Sequence, residues 1–124
     1  MRLRSLRGKA ADQRGRSAED AAQITLERDG WTILSRRLRT PAGEIDMIAE
    51  KDGLLAVIEV KARPRLVDAA TSLSMRQQSR LVAAAEIILA TNPQWGSQGV
   101  RFDLLLVDAA GVVRRIADAF RGDG

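Results

Sequence analysis

The first regular pattern in the chain is a set of apolar residues at helical spacing. Ala22 and Leu26 lie about one turn apart and predict the buried face of a helix over residues 18–28. Residues 17–20 have the spacing of a capping box, which predicts that the helix begins there. Glu19 lies at the edge of the apolar face, so we expect its side chain to point inward.

Downstream, runs of β-forming residues alternate with one more helical segment. A second capping box at residues 74–77 predicts a helix that ends near residue 90, and a polar, proline-containing stretch, residues 62–73, is predicted to be a loop. Strands are predicted over residues 31–39, 44–50, 54–61, 100–107 and 112–116. The order α-β-β-β-α-β-β predicts one α/β domain over residues 15–124, in which helices flank a central mixed sheet.

The second and third predicted strands form a hairpin whose register can be counted from its turn. Asp52-Gly53 is a typical two-residue hairpin turn. Counting outward from it places Asp46 opposite Glu59 and Glu44 opposite Lys61, and cross-strand partners share a face. An added bulge would change this register. The apolar residues between them are expected to point to the other face and pack on a helix: Ile45, Met47, Ile58 and Val60.

The predicted patch of charged residues has the composition of a metal site. Two carboxylates directly opposite each other repel, and a cation between Asp46 and Glu59 would remove that repulsion. Each can give an oxygen to Mg²⁺ or Mn²⁺, with waters and a substrate phosphate completing the shell. Lys61 would then orient the attacking water or hold the phosphate. Arg63 and Arg65 follow directly and can grip the backbone phosphates of a nucleic acid.

The amino-acid composition restricts the catalytic and metal-binding chemistry further. The 124 residues include no cysteine and no histidine, which excludes disulfides, thiolate or imidazole zinc sites and Ser-His-Asp triads. Catalysis would have to use carboxylates, lysine, hydroxyls or an ion bound through oxygen, and oxygen ligands suit Mg²⁺, Mn²⁺ or Ca²⁺. The formal net charge of +4 predicts a polyanionic partner, either a nucleic acid or an anionic membrane.

The N-terminal segment, residues 1–14, is rich in arginine and is predicted to be a disordered basic arm, with an organelle-targeting segment as the alternative. It has no apolar block of the kind that a secretory signal needs. No apolar run in the chain approaches the roughly 18 residues of a membrane span. We therefore expect a cytoplasmic protein.

A simpler interpretation of the charged hairpin is a solvated surface with weak ion pairs, such as Glu44 with Lys61. Residues 54–61 argue against it, because the strand is otherwise apolar and is expected to be buried on both faces. Buried charges need partners. Glu59 therefore favours a functional site.

Several other residues have two interpretations each. The arginines at 36, 37 and 39 either form a phosphate-binding strip or lie on an exposed edge strand, where their charge prevents pairing with another chain. Gln77 and Arg80 face either the substrate or solvent. Asp103 is expected to form a structural ion pair with Arg101 on the same strand face. Trp31 is expected in the core, whereas Trp95, in a loop, is the better candidate for stacking on a base.

Two segments, residues 43–49 (GEIDMIA) and 57–63 (VIEVKAR), are similar to the signature of the YraN-like family. That is a bacterial family of uncharacterised proteins which resembles the archaeal Holliday junction resolvases within the PD-(D/E)xK nuclease superfamily. The similarity covers nearly the whole chain after the basic segment. It includes Gly15, Glu19 and Ala22, residues 101–103 and residues 116–120.

The resemblance implies a restriction-endonuclease-like core and a metal site. By this resemblance Asp46 and Glu59 bind Mg²⁺ or Mn²⁺, Lys61 is the catalytic lysine, and Glu19 is a further acidic contributor. The chain departs from the family at Ala18, usually Gly, and at two positions that bear on substrate contacts: Arg37, usually Asn, and Arg76, usually Lys. With Arg39, Arg63 and Arg65 these two arginines are the predicted nucleic-acid-binding residues.

Three functions follow as expectations. The first is an endonuclease that hydrolyses phosphodiester bonds with Mg²⁺ or Mn²⁺, on DNA more than RNA, with branched DNA as a candidate substrate and no membrane partner. The second is a nucleic-acid-binding module of the same fold without turnover, and the third is a structural or partner-binding protein whose acidic hairpin is only surface. A homodimer is expected for a nuclease with one site per chain that cuts both strands.

Overall fold

A five-stranded sheet with a helix on each face makes up the computed structural model. It describes residues 2–63 and 73–121, with side chains from residue 15 onward. The predicted order α-β-β-β-α-β-β is confirmed. The elements are α1 (Arg2–Arg28), β1 (Thr32–Thr40), β2 (Gly43–Lys51), β3 (Leu54–Ala62), α2 (Met75–Thr91), β4 (Val100–Val107) and β5 (Val113–Phe120).

The strands lie in the sheet in chain order, β1-β2-β3-β4-β5. Neighbours pair antiparallel except β3 and β4, which are parallel. A parallel pair cannot be joined by a tight turn and needs a crossover, and the segment containing α2 supplies it. The sheet is therefore mixed, as predicted.

The strand β3 is the centre of the core because alternate residues are buried against opposite helices. Leu55 and Val57 belong to an apolar cluster with Leu81 and Ile88 of α2. Ala56 and Ile58 belong to a second cluster with Ala22 and Leu26 of α1. Residues 55–59, which include Glu59, are buried, which confirms that the middle of β3 is covered on both faces.

The helix α1 is longer than predicted. It ends at Arg28, as expected, but it begins at Arg2, so the capping box predicted at residues 17–20 does not start it. Residues 2–28 contain no proline and many strong helix formers, and these extend the helix past Ser17. The boundary between a basic arm and the domain stays a prediction. Neither helix in the described part of the chain is long and apolar enough to cross a membrane.

The helix α2 begins as predicted. Ser74 Oγ accepts from the Gln77 amide over 3.1 Å, and Gln77 Oε1 accepts from the Ser74 amide over 2.9 Å. Both halves of the capping box are present, so the Gln77 side chain caps the helix. The predicted loop before α2 lies largely outside the described residues.

The strand β5 runs to Phe120, four residues beyond its predicted end. A bulge interrupts its pairing with β4 beside Asp103, and Asp118 there has a left-handed φ of 54°. The Asp118 amide donates to Asp103 Oδ1 over 2.9 Å. Beyond the bulge Phe120 pairs with Phe102, and their rings stack at 4.7 Å. Bulge and ring pair together explain the extra length.

Candidate active site

The β2–β3 hairpin has the predicted register. Lys51 pairs with Leu54 and Met47 pairs with Ile58, and the same count places Asp46 beside Glu59. The ladder of paired residues ends at Met47. Beyond that point Asp46 Oδ2 accepts the backbone N–H of Val60 over 2.8 Å, so a side chain takes the place of the next ladder bond.

The sheet is locally irregular at Asp46. Met47 contacts the cluster on the α1 side, as expected, and so does Ile58. Ile45 instead belongs to the cluster on the α2 side, so the prediction that it shares a face with Met47 is wrong. On the neighbouring strand Arg37, between the partners of Met47 and Ile45, has a left-handed φ of 51°. Both strands therefore depart from regular geometry at this place, which changes the direction of the Asp46 side chain.

Glu59 is the most confined of the predicted site residues, with a side chain only 7% exposed. Its Oε1 atom lies 3.4 Å from Lys61 Nζ and 3.8 Å from Arg80 Nη2. Its Oε2 atom is buried and has no hydrogen-bond partner within the described residues. A buried carboxylate oxygen without a partner costs free energy, which a bound cation would recover.

Asp46 is perturbed by the same surroundings. Burial is the largest cause that raises the pKa of its carboxyl, and the charge of Glu59 is the next. The Val60 N–H and the ammonium of Lys61 lower the pKa, while Glu19 raises it. The net result is a pKa of about 6 in place of 3.8. A carboxyl whose ionisation is disfavoured by burial and by a neighbouring acid is typical of functional sites.

Glu44 does not join these groups as predicted. It lies in an exposed pair with Arg39, 3.9 Å from Arg39 Nε, and its side chain is 42% exposed. Lys61 pairs with Glu59 on its own strand instead. The ladder ends before it reaches Glu44, which explains why counting from the turn fails there.

Glu19 reaches the neighbourhood of the site from α1. It is buried, and its Oε1 atom accepts from Arg37 Nε over 2.9 Å and from Arg36 Nη2 over 3.4 Å. Arg36 also donates to Asp20 over 2.9 Å. Glu19 therefore acts on Asp46 through its charge, and its role as a metal ligand stays a prediction.

The donor set can be tested against the predicted metal. Across residues 15–63 and 73–121 no three acidic side chains meet closely enough to hold an ion by themselves. Asp46 and Glu59 offer two carboxylates, one of which has an oxygen with no partner inside the described chain. Mg²⁺ commonly binds one or two protein carboxylates and completes its shell with water and phosphate oxygens. The residues present fit such an ion.

The predicted nucleic-acid-binding arginines differ in their exposure and in their partners. Arg37 is bound to Glu19 beside the site. Arg39 is 91% exposed, Arg76 is exposed in the first turn of α2, and Arg63 follows β3 with its Nη1 atom donating to the carbonyl of Ala62. Arg65 lies outside the described residues.

Arg80 is the site residue that sequence reasoning came closest to missing. From its position on α2, the Arg80 side chain could face either the substrate or solvent. It lies near Glu59 because of the distance at which α2 packs from β3. Nothing in the local pattern of α2 encodes that distance. Gln77, considered together with it, is used in the helix cap.

Three further residues singled out in the sequence lie in the core or against it. Trp31 is buried in the α1-side cluster, as expected, with the guanidinium of Arg101 at 5.3 Å from its ring. Asp103 is buried and bonds Arg101 through both oxygens at 2.8 Å, which confirms the predicted ion pair. Trp95 is partly buried against the α2-side cluster.

Comparison with known proteins adds the family. Residues 18–107 match the uncharacterised protein family UPF0102. The chain belongs to this family. A UPF0102 protein of Granulibacter bethesdensis is 59% identical over 118 residues, which cover 95% of this chain and 75% of that protein. A UPF0102 protein of Azorhizobium caulinodans is 45% identical over 118 residues, covering 95% and 90% of the two chains.

A third UPF0102 protein, from Rhodopseudomonas palustris, is 46% identical over 111 residues, covering 90% of this chain and 85% of its own. The match to UPF0102 spans α2 and the first four strands, including Asp46, Glu59 and Lys61. The family predicted from residues 43–49 and 57–63 is thereby confirmed as an uncharacterised bacterial family. Since the names of these relatives state no activity, the function has to be argued from the site.

Proposed function

We propose that this protein is a metal-dependent nuclease of the PD-(D/E)xK type that hydrolyses phosphodiester bonds in nucleic acid, with DNA as the favoured substrate. The observation that carries the proposal is the pair of confined acids, Asp46 and Glu59, with the ammonium of Lys61 alongside. A solvated hairpin surface would place these acids in water. Here burial and the charge of Glu59 disfavour ionisation of Asp46, and a divalent cation would oppose both effects.

The side chains have separate tasks in this proposal. A bound Mg²⁺ or Mn²⁺ would supply Lewis acidity, which withdraws charge from a phosphate and makes a water a stronger nucleophile. Asp46 is oriented by the Val60 N–H through Oδ2, and Glu59 offers its buried Oε2. Lys61 stands next to Glu59 Oε1 and stabilises negative charge that develops on the phosphate.

Charge supports a nucleic-acid substrate. The net charge is +4, and Arg39 and Arg76 are exposed, where backbone phosphates can reach them. DNA, and branched DNA in particular, is favoured because of the sequence resemblance to junction resolvases. A binding module without turnover would share the arginines, and the presence of cleavage separates the two functions.

The test is cleavage of three DNA substrates, a four-way junction, a flap and a linear duplex, by purified protein in Mg²⁺ and in Mn²⁺. The wild type should cut at least one of them, and chelator should stop the reaction. Asp46→Asn should abolish cutting, because it removes a metal ligand at nearly constant shape. Asp52→Asn is the matched control, since it makes the same chemical change in the exposed turn of the same hairpin.

Two results would count against the proposal. Cutting that persists in Asp46→Asn would come from a different site or a contaminant. Salt-sensitive DNA binding by the wild type without any metal-dependent cutting would leave the binding module as the function.

A further inference from the structure

Arg80 reaches the site from an element that the hairpin motif does not include. It lies on α2, and its Nη2 atom is 3.8 Å from Glu59 Oε1, the same oxygen that faces Lys61. Two cations from different elements thus meet one carboxylate oxygen. One of them, Lys61, is already part of the proposed function, and the other has no role in it.

The path of Arg80 depends on a glycine. Its side chain crosses Gly43 at the start of β2, where a Cβ atom would lie 2.7 Å from Arg80 Cδ and 2.9 Å from Arg80 Cγ. Gly43 also has a φ of +138°, a conformation that other residues rarely adopt. The absence of a side chain three residues before Asp46 therefore opens the way for Arg80 to reach Glu59.

The contact between Arg80 and Glu59 is loose. A separation of 3.8 Å is too long for a hydrogen bond, and the Arg80 side chain is 40% exposed. The guanidinium is held near the acid by charge and can turn toward a ligand at small cost. Its planar set of N–H donors matches two oxygens of a phosphate group.

We propose that Arg80 is a further functional residue of this site, which binds the phosphate that is cleaved and serves as the counterion of Glu59 while no metal is bound. This inference rests on the proposed nuclease function and adds its phosphate-binding residue. When Glu59 binds a metal, its charge is neutralised and Arg80 is available to the substrate. Gly43 has a positioning role, because it leaves room for the Arg80 side chain.

The test compares Arg80→Ala and Arg80→Lys with Arg28→Ala, which removes the same charge from an exposed position at the end of α1. In steady-state cleavage, Arg80→Ala should lower kcat/KM by about 10²- to 10³-fold, as expected for loss of one phosphate-stabilising group. Arg80→Lys should recover part of this loss because it keeps the charge without the planar donors. Arg28→Ala should match the wild type.

A second measurement needs no cleavage. In calorimetric titration of DNA-free protein with Mn²⁺, Arg80→Ala should bind the ion about 2- to 5-fold more tightly, since a partly exposed competing charge is gone. An arginine with a merely structural role would not tighten metal binding. Arg28→Ala should leave the affinity unchanged.

The outcomes separate the two proposals. An active wild type with Arg80→Ala and Arg28→Ala equally active, and with equal Mn²⁺ affinity, would overturn the role of Arg80 and leave the nuclease function standing. A wild type that neither binds Mn²⁺ nor cuts DNA would overturn the nuclease function and this inference with it. Thermal unfolding of each variant shows whether a loss of activity is a loss of fold.

Discussion

The amide of Val60 donates to Asp46 Oδ2 over 2.8 Å, just beyond the last paired residues of the β2–β3 ladder. Val60 follows Glu59 directly, so this bond fixes one acid relative to the strand that carries the other. The position of Asp46 therefore depends on a side-chain bond as well as on strand pairing.

The first prediction concerns stability and pH in the metal-free protein. Because burial and Glu59 raise the pKa of Asp46 to about 6, the folded chain keeps a proton that the unfolded chain releases near 3.8. The stabilising contribution of the protonated acid is complete below about pH 4 and is lost as the pH rises through about 6. The loss amounts to at most about 3 kcal/mol.

Asp46→Asn, which stays neutral, should therefore have a higher free energy of unfolding than the wild type at pH 7 in chelator, and the difference should shrink toward pH 4. Urea unfolding followed by tryptophan fluorescence measures both. Asp52→Asn, in the exposed turn, should show no such pH-dependent difference. A gap between Asp46→Asn and the wild type that is equal at pH 4 and pH 7 would contradict the prediction.

The second prediction concerns metal and stability at pH 7. Mn²⁺ that binds only the folded chain should raise its thermal midpoint, with a gain of about 2.7 kcal/mol at an ion concentration about 100 times Kd. Glu59→Gln should lose this gain, because the amide is a poorer ligand without charge. Glu44→Gln, which alters an exposed acid on the neighbouring strand, should keep it. Equal shifts in both variants would mean that the ion binds elsewhere.

The third prediction separates Lys61 from the metal ligands. Lys61→Ala should lower the single-turnover rate of DNA cleavage by about 10²- to 10⁴-fold, the usual contribution of one positioned catalytic group. Its Mn²⁺ binding, followed by calorimetry, should persist because the two carboxylates remain. Lys51→Ala, at the exposed end of the same hairpin, serves as the control. Unchanged cleavage by Lys61→Ala would remove Lys61 from the mechanism.

The fourth prediction concerns the buried ion pair of β4. Asp103→Ala should lower the free energy of unfolding by about 3–5 kcal/mol, because it leaves the Arg101 guanidinium and the Asp118 amide without their acceptor. The double replacement of Arg101→Met with Asp103→Leu should be less harmful, since neither charge remains. Chemical unfolding measures both variants. Loss of Mn²⁺ affinity in folded Asp103→Ala would instead indicate a third metal ligand.

Local rules were enough to predict most of the fold. The strand β4 was predicted over residues 100–107 and has those bounds, because a run of apolar β-forming residues ends at a turn. The Asp52-Gly53 turn set the register of the hairpin from Lys51 to Met47. In both cases the signal lies within a short stretch of sequence, an apolar β-forming run in β4 and a two-residue turn in the hairpin, and periodicity and turn chemistry describe such signals well.

The errors in the site have tertiary causes. The ladder stops at Met47 because the Asp46 side chain accepts an N–H from the partner strand. The rule that side chains alternate between the two faces of a strand does not predict a side chain that replaces a backbone hydrogen bond. Ile45 and Glu44 were misplaced for this reason. Arg80 meets Glu59 because α2 packs across β2, and only the assembled layers determine where that helix lies.

The topology of the sheet also sets when the proposed site comes into being during synthesis. Glu59 and Lys61 lie on β3, whose parallel partner β4 pairs Leu104 with Glu59 and is made after the whole crossover. Until then β3 would be an unprotected edge in the nascent chain. A nascent chain that ends before β4 therefore has both acids, on β2 and β3, but lacks the strand that covers the other edge of β3, so the proposed site would be complete only after β4 is made.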